Sequence, residues 1–264
     1  MSQKIKESFS KLAERTKKEF LEFKVLMRSV PSLIVVIFVM SVFAMNLLAN
    51  KSLSLNLDWL ALDCGIIVSW FAFLAMDVIT KHFGPKAATK ISILAICLNL
   101  LFCLLFFLGS LIPGAWGESF VEVGGEQINN ALDSTFGGTW YVLMGSTLAF
   151  LLSALVNNFS NWGVGKLFKK KPDSAAAYFI RSYVSTALAQ FVDNIVFAFV
   201  VSFVFFGWSP LQCITCALTG MVVELLCEVI FSPIGLALSK KWKKENVGDA
   251  YFSLVERKNV GVEE

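Results

Sequence analysis

Residues 88–112 read ATKISILAICLNLLFCLLFFLGSLI, and the only charged side chain in this stretch, Lys90, lies near its start. A helix needs about 20 apolar residues to span the hydrocarbon core of a bilayer, and this stretch is long enough. Five further runs of similar character occur at about 30–50, 59–81, 139–161, 178–206 and 211–238. The sequence therefore predicts an all-α integral membrane protein with a six-helix domain over residues 30–238.

The basic residues alternate with these runs in a pattern that predicts an orientation. Of the 23 Lys and Arg residues, all but Lys51 lie in the N-terminal tail 1–29, at 81–90, at 166–181 or in the C-terminal tail 239–264. Loops rich in Lys and Arg stay on the cytoplasmic side. We therefore expect both termini to be cytoplasmic and the protein to be a multi-pass component of the plasma or inner membrane.

Composition indicates the lipid membrane, and not nucleic acid, as the partner of the basic segments. The hydrophobic fraction of 56% and the mean hydropathy of +0.67 exceed those of ordinary soluble domains. The net charge of +3 is carried next to the spans, where Lys and Arg interact with anionic headgroups. Apolar residues at helical spacing in segment 1–29 predict a helix on the membrane interface, and the alternative is a solvated charged tail.

The cysteines and the single histidine, His82, indicate no catalytic or metal site. Cys213 and Cys216 form a C-x-x-C pair at the start of an apolar run, but no second pair accompanies them. One histidine cannot complete a typical zinc site or a catalytic triad. We therefore expect no metal, no cofactor and no enzymatic activity.

The segment 113–138 is acidic and rich in glycine. Ile128, Leu132 and Phe136 recur at i, i+4 and i+8, which predicts a short amphipathic helix. Two interpretations remain open for this segment, a lid over a binding site and a solvated connector.

Polar residues within the spans indicate a shared pocket. Gln190, Asp193 and Asn194 lie on one face of the fifth span, and Glu224 and Glu228 lie on one face of the sixth. A charged side chain at mid-bilayer costs about 2.5–3.5 kcal/mol, so such groups normally face a bundle interior or an aqueous cavity. The alternatives are interhelical hydrogen bonding and, from another class of protein, an intramembrane enzyme that uses Asp193, Glu224 and Glu228.

Three further residues suggest what the pocket binds. Asn46 near the end of the first span supplies an amide, while Trp70 and Phe73 supply aromatic faces in the second. Carboxylates accept paired N–H donors, and aromatic rings stack on flat ligands. These residue types favour a flat, donor-rich heterocycle.

Five short segments resemble one family. In chain order they are Asn46-Leu-Leu-Ala-Asn-Lys51, Asp77-Val-Ile-Thr-Lys-His-Phe-Gly84, Ser146-Thr-Leu-Ala-Phe-Leu-Leu-Ser153, Ser185-Thr-Ala-Leu-Ala-Gln-Phe-Val-Asp193-Asn-Ile-Val-Phe197 and Ser232-Pro233. The order of these segments is similar to that in the vitamin-uptake-transporter-like (VUT) family of queuosine precursor transporters. The resemblance implies salvage of 7-deazaguanines such as preQ0, preQ1 or queuine, with transport or binding of another vitamin-like heterocycle as the alternative.

Some positions depart from the pattern of that family. Lys81 stands where the family has an acidic residue, and Glu228 stands where it has a lysine. An exchanged charge pair between Lys81 and Glu228, with Asp77 nearby, is a hypothesis for coupling or structure.

The resemblance also implies a fold similar to the substrate-binding subunits of energy-coupling-factor transporters, which use a separate ATPase module. Small residues at Ser41, Ala44 and Ala49 lack the spacing for docking such a module, and the chain contains no P-loop. A stand-alone carrier is therefore favoured. An ATPase partner or a homo-oligomer remains open.

Overall fold

The chain is a bundle of long helices in the computed structural model, which describes residues 2–53, 55–120, 124–167 and 175–260. Those residues form nine α-helices: α1 (Ser2–Ser29), α2 (Ser32–Leu48), α3 (Ile66–Phe83), α4 (Pro85–Ser110), α5 (Gly125–Gly138), α6 (Trp140–Leu167), α7 (Ala175–Phe197), α8 (Pro210–Lys244) and α9 (Asp249–Val260). A 3₁₀ turn at Gly117–Phe120 precedes α5, and a π-helix at Ala198–Phe203 continues α7. The predicted all-helical fold is confirmed for the described residues.

Five segments within the described helices are long and apolar enough to cross a membrane: Ile66–Phe83, Pro85–Ser110, Gly125–Asn157, Tyr183–Phe203 and Pro210–Phe231. The remaining predicted run corresponds to α2, whose 17 residues extend about 25 Å. Ser10–Ser29 and Ser32–Leu48 together make a broken span that is bent by 105°. The break falls at Pro31, because proline lacks an N–H donor and disfavours helical geometry in the residue before it. The described helices therefore provide five or six spans.

The helix predicted to start near residue 59 begins at Ile66. Hydrogen bonds across the preceding loop explain the difference, since Leu53 N donates to Leu62 O at 2.7 Å and Cys64 N donates to Lys51 O at 2.8 Å. These bonds satisfy backbone groups without a helix. Asp63 is therefore held on a hairpin-like loop at the mouth of the bundle.

The largest buried apolar cluster lies where α1 and α9 pack together, an end of the bundle that we call the terminal end. Leu26, Ile79, Ile91, Trp242 and Tyr251 join this cluster from α1, α3, α4, α8 and α9 respectively. The predicted C-terminal tail, 239–264, is largely helical in its described part. Helix α8 extends to Lys244, and α9 packs into the core.

Gly248 allows the chain to turn from α8 into α9. Its φ is +96°, and a Cβ atom at this position would lie 2.5 Å from Cε1 of Phe83. Glycine alone combines this left-handed backbone with such a close approach. The same turn places Val247 O 2.7 Å from Nε2 of His82, which ties the connection to the last turn of α3.

Helix α1 is anchored to the bundle by an ion-pair cluster and by apolar packing. Lys90 Nζ on α4 lies 2.7 Å from Oε1 of Glu22 and 2.9 Å from Oε2 of Glu19. Nearer the start of α1, Leu12 and Phe20 are exposed. This distribution matches an amphipathic helix, while its position on a membrane interface stays a prediction.

The predicted helix in segment 113–138 is confirmed as α5. Trp116 Nε1 donates to Asp133 Oδ1 at 2.9 Å, and the Trp116 ring stacks on Phe136 with the ring centroids 5.0 Å apart. Phe136 in turn contacts Phe106 of α4, with the ring centroids 5.1 Å apart. These contacts hold α5 against the end of α4.

Candidate functional site

One cleft enters the bundle from the end opposite the terminal end. Its cavity volume is about 80 Å³, and it opens into solvent at its mouth. Asp63 lies at its outer end. Glu224 follows Pro210, the first residue of α8, by 14 residues, or about 20 Å along the helix axis. The cleft therefore reaches roughly the middle of the spanning helices.

Five helices and the loop before α3 supply the walls. Side chains with polar or thiol groups are contributed by Asn46, Asp63, Ser69, Ser146, Asp193, Asn194, Cys216 and Glu224. The apolar lining consists of Met45, Ala49, Leu62, Gly65, Ile66, Phe73, Phe197 and Gly220. The mixture of a few polar groups with an apolar lining is typical of a ligand site.

A hydrogen bond between α7 and α8 organises the floor of the cleft. Asn194 Nδ2 donates to Glu224 Oε2 at 3.1 Å, and Glu224 is only 6% exposed. A Cβ atom on Gly220 would lie 2.8 Å from Asn194 Nδ2. Glycine at this position therefore gives the amide the room it needs to reach the carboxylate. The remaining oxygen of Glu224, Oε1, is not used by this bond.

Asp193 stands next to this pair, in the same cleft. Its carboxyl group lies beside the hydroxyl of Ser153 on α6, and Glu224 lies beside the hydroxyl of Ser69 on α3. The two carboxyl groups are close enough to interact electrostatically. The helical spacing that placed Asp193 and Asn194 on one face therefore brings both to Glu224.

Asp63 adds a third carboxyl group from outside the helices. Gly65 N donates to Asp63 Oδ1 at 2.7 Å, and burial raises the pKa of Asp63 to about 6. A Cβ atom on Gly65 would lie 2.7 Å from both Asp63 Oδ1 and Met45 O. Glycine at 65 therefore lets the loop bring this carboxyl group close to α2.

The described residues that line the cleft include no Lys, Arg or His. Three carboxyl groups in a low-dielectric surrounding favour a ligand that is cationic or rich in N–H donors, and they disfavour an anion. This electrostatic character is the strongest constraint that the cleft places on its ligand.

Two more of the predicted site residues line the cleft. Asn46 is 5% exposed, and its Nδ2 atom has no hydrogen-bond partner within the described part of the chain. Phe73 of α3 supplies an aromatic side chain to the lining. Asn50, one turn after Asn46, instead ties α2 to α6, since it accepts a hydrogen bond from Tyr141 Oη at 3.2 Å.

Two predicted site residues lie elsewhere. Gln190 is 4% exposed and does not line the cleft, because it is one turn closer to the terminal end than Asp193 and packs within the bundle. Trp70 stacks on Phe231 of α8 with the ring centroids 4.5 Å apart, and its Nε1 donates to Ile67 O at 2.9 Å. The indole is therefore turned away from the cleft.

A family model described as "Putative vitamin uptake transporter" matches residues 63–238, two thirds of the 264-residue chain. The chain belongs to this family. Comparison with curated proteins and with solved structures gives no match. The matched region starts at Asp63 and extends through α8, so it contains all three carboxyl groups of the cleft. The family match and the long apolar helices together identify the protein as a multi-pass membrane protein of the vitamin-uptake transporter class.

The charge pair between Lys81 and Glu228, suggested by the sequence, remains a prediction. Lys81 is exposed on the last turn of α3, towards the terminal end, and does not line the cleft. The side chains of Asp77 and Glu228 lie outside the described residues.

Several lining residues could not be singled out from the sequence. Ser69, Ser146 and Phe197 are common residue types in spans, and nothing in their spacing distinguishes them. Gly220 had one available signal, because it lies four residues before Glu224 and so on the same helical face.

Proposed function

We propose that this chain is an uptake carrier for queuosine precursors, the 7-deazaguanine bases preQ0, preQ1 and queuine. Membership of the family supplies the class of activity, which is vitamin uptake across a membrane. The observation that carries the substrate proposal is the set of three carboxyl groups, Asp63, Asp193 and Glu224, in one cleft whose described lining contains no cation.

The chemistry of the base complements the cleft. A 7-deazaguanine presents a ring N–H and an exocyclic amine side by side, and a carboxylate can accept both. Asp193 takes this donor pair, with Oε1 of Glu224 as the neighbouring acceptor, since Asn194 occupies Oε2. Asn46 Nδ2 donates to the 6-oxo group, and Phe73 stacks on the ring. Gln190 supports α7 from behind the site, and Trp70 has no direct role.

The proposed orientation puts the terminal end in the cytoplasm. Contact between α1 and α9 supports an even number of spans, because it brings both terminal helices to the same end of the bundle. With six spans and cytoplasmic termini, the cleft opens to the outside and receives the base there. Ser41 of α2 is buried, so we propose a stand-alone carrier in the cell membrane and not a subunit that docks an ATPase through this face.

The proposal is tested in a host that lacks both synthesis and uptake of queuosine precursors. Cells expressing wild type, Asp193→Asn or Glu224→Gln receive preQ0, preQ1, queuine or no base, and the queuosine content of their tRNA is measured. Wild type restores queuosine with at least one base, and both variants lose most of this activity. Asp249→Asn is the matched control, because it makes the same chemical change on α9, at the terminal end and outside the cleft lining.

Three results would contradict the proposal. Wild type that reaches the membrane but restores queuosine with none of the bases would indicate another vitamin-like heterocycle. Equal rescue by wild type, Asp193→Asn and Glu224→Gln would show that this cleft is not the binding site. Chemical alteration of the base during uptake would instead favour an enzyme.

A further inference from the structure

A second, smaller cavity lies directly behind Asn46. Its cavity volume is about 10 Å³, room for about one water-sized group. It is lined by residues of α2, α4 and α6, among them Phe43, Asn99 and Phe106. Asn46 lines both this inner cavity and the main cleft. A group bound in the cleft therefore has the inner cavity as its neighbour on the far side of Asn46.

The inner cavity contains two buried amide groups whose N–H donors are not used by the protein. Asn46 and Asn99 are each 5% exposed, and neither Nδ2 atom has a hydrogen-bond partner among the described residues. Thr139, the third polar residue of the lining, is already engaged, because its hydroxyl donates to Thr135 O at 2.8 Å. Buried donors are normally satisfied, so two unpaired ones in one cavity call for an acceptor, which water or a group of a bound ligand supplies.

The walls restrict which acceptor can enter. Phe43, Cys103 and Phe106 make the rest of the cavity apolar, so a charged group would lose its hydration there. An ammonium group carries only hydrogen-bond donors, and the two unused amide N–H groups offer it no acceptor. An anion would have to pass the carboxyl groups of the main cleft. A small, uncharged group that ends in an acceptor atom satisfies all three conditions.

We propose that Asn99 and Asn46 form a second subsite that binds an uncharged hydrogen-bond acceptor on the substrate, such as a carbonyl or nitrile group. This inference rests on the proposed function for the identity of the base. In a 7-deazaguanine, the 6-oxo group and the 7-substituent lie on one edge, next to the edge that carries the N–H donors. When Asp193 and Glu224 hold the donor edge, the 7-substituent points past Asn46 towards Asn99. Asn99 thereby becomes a specificity-determining residue for that substituent.

The test compares three bases that differ only at position 7: the 7-cyano base preQ0, the 7-aminomethyl base preQ1 and unsubstituted 7-deazaguanine. Equilibrium binding to the purified full-length protein in lipid nanodiscs is measured for wild type, Asn99→Leu and Asn99→Ala. The two variants both remove the donor but leave different volumes, so an effect common to both reports the hydrogen bond. Ser92→Ala is the matched control, because Ser92 is a buried polar residue of α4 outside the inner cavity.

Both Asn99 variants are expected to weaken preQ0 binding about three- to tenfold, the usual effect of one lost hydrogen bond. Binding of preQ1 and unsubstituted 7-deazaguanine stays within about twofold of wild type. Asn99→Leu does not lower the melting temperature, because it removes an unpaired buried donor and keeps the number and branching of the side-chain heavy atoms. Equal loss for all three bases, or unchanged preQ0 binding, would overturn this inference alone. Wild type that binds none of the bases would overturn the proposed function together with it.

Discussion

Replacement of Gly220 by alanine changes the candidate site without removing any of its polar groups. The new Cβ atom would lie 2.8 Å from Nδ2 and 3.1 Å from Cγ of Asn194. Carbon and nitrogen atoms that are not bonded normally stay about 3.5 Å apart, so the amide has to move by roughly 0.7 Å. Its hydrogen bond to Glu224, now 3.1 Å, then exceeds the distance at which such bonds are effective.

The cost follows from the loss of one hydrogen bond. A typical intramolecular hydrogen bond contributes about 0.5–1.5 kcal/mol. Because we propose that Glu224 contacts the base, Gly220→Ala weakens binding roughly two- to tenfold. The overall fold is retained, because alanine is about 1 kcal/mol more favourable than glycine in a helix interior and offsets part of the strain.

Equilibrium binding of preQ1 and thermal unfolding are measured on the same nanodisc samples. Gly109→Ala is the control, because a Cβ atom on Gly109 meets no atom within 4 Å. The decisive comparison repeats Gly220→Ala in an Asn194→Ala background, where the obstructed amide is absent. In that background we expect Gly220→Ala to change the affinity for preQ1 very little. An equal loss of affinity in both backgrounds would refute the reasoning, since the loss would not pass through Asn194.

Three other predictions concern stability and the surface. Gly248→Ala lowers the free energy of unfolding by about 2–4 kcal/mol, because φ is +96° and Phe83 is in the way, and a melting temperature equal to that of wild type would contradict this. The folded-state pKa of Asp63 is about 6, above its ordinary 3.8, so its contribution to stability is greatest below about pH 4 and is lost as the pH rises through 6. Asp63→Asn should remove this contribution to the pH dependence of the melting temperature between pH 4 and 7. A pH profile identical to that of wild type would disprove the assignment. Asp133→Ala breaks the bond to Trp116 Nε1 and should make α5 more sensitive to protease without changing substrate affinity, whereas a large loss of affinity would favour the lid interpretation.

Hydropathy predicted the helices because lipid imposes one requirement, apolar composition, on every stretch of about 20 residues. Helices α4 and α8 follow the predicted runs closely. The start of α3 differs from its predicted run because the loop bonds at Leu53 and Cys64 involve backbone atoms, which leave no mark on side-chain composition.

Helical spacing predicted part of the site. It placed Gln190, Asp193 and Asn194 on one face, yet only Asp193 and Asn194 line the cleft. Helical spacing predicts which face a residue lies on, but not the depth at which the neighbouring helices separate to form a cleft. Trp70 shows the same limit, since its stacking partner Phe231 belongs to a distant segment. Asn99 gave no signal in the sequence, where it is a single amide within an apolar run. Its importance depends on the cavity that α2, α4 and α6 form together.

The packing of α1 against α9 has a consequence for biogenesis. Leu26 of α1 and Tyr251 of α9 belong to one cluster, so one partner of α1, the helix α9, is synthesised long after α1 itself. Translation proceeds at about 5–20 residues per second, which leaves that face of α1 uncovered for roughly 10–45 s. During this interval the nascent chain offers an apolar surface to chaperones and membrane proteases. Substitutions in α9 that weaken the contact should therefore reduce the amount of protein in the membrane more than the activity of each molecule that completes assembly.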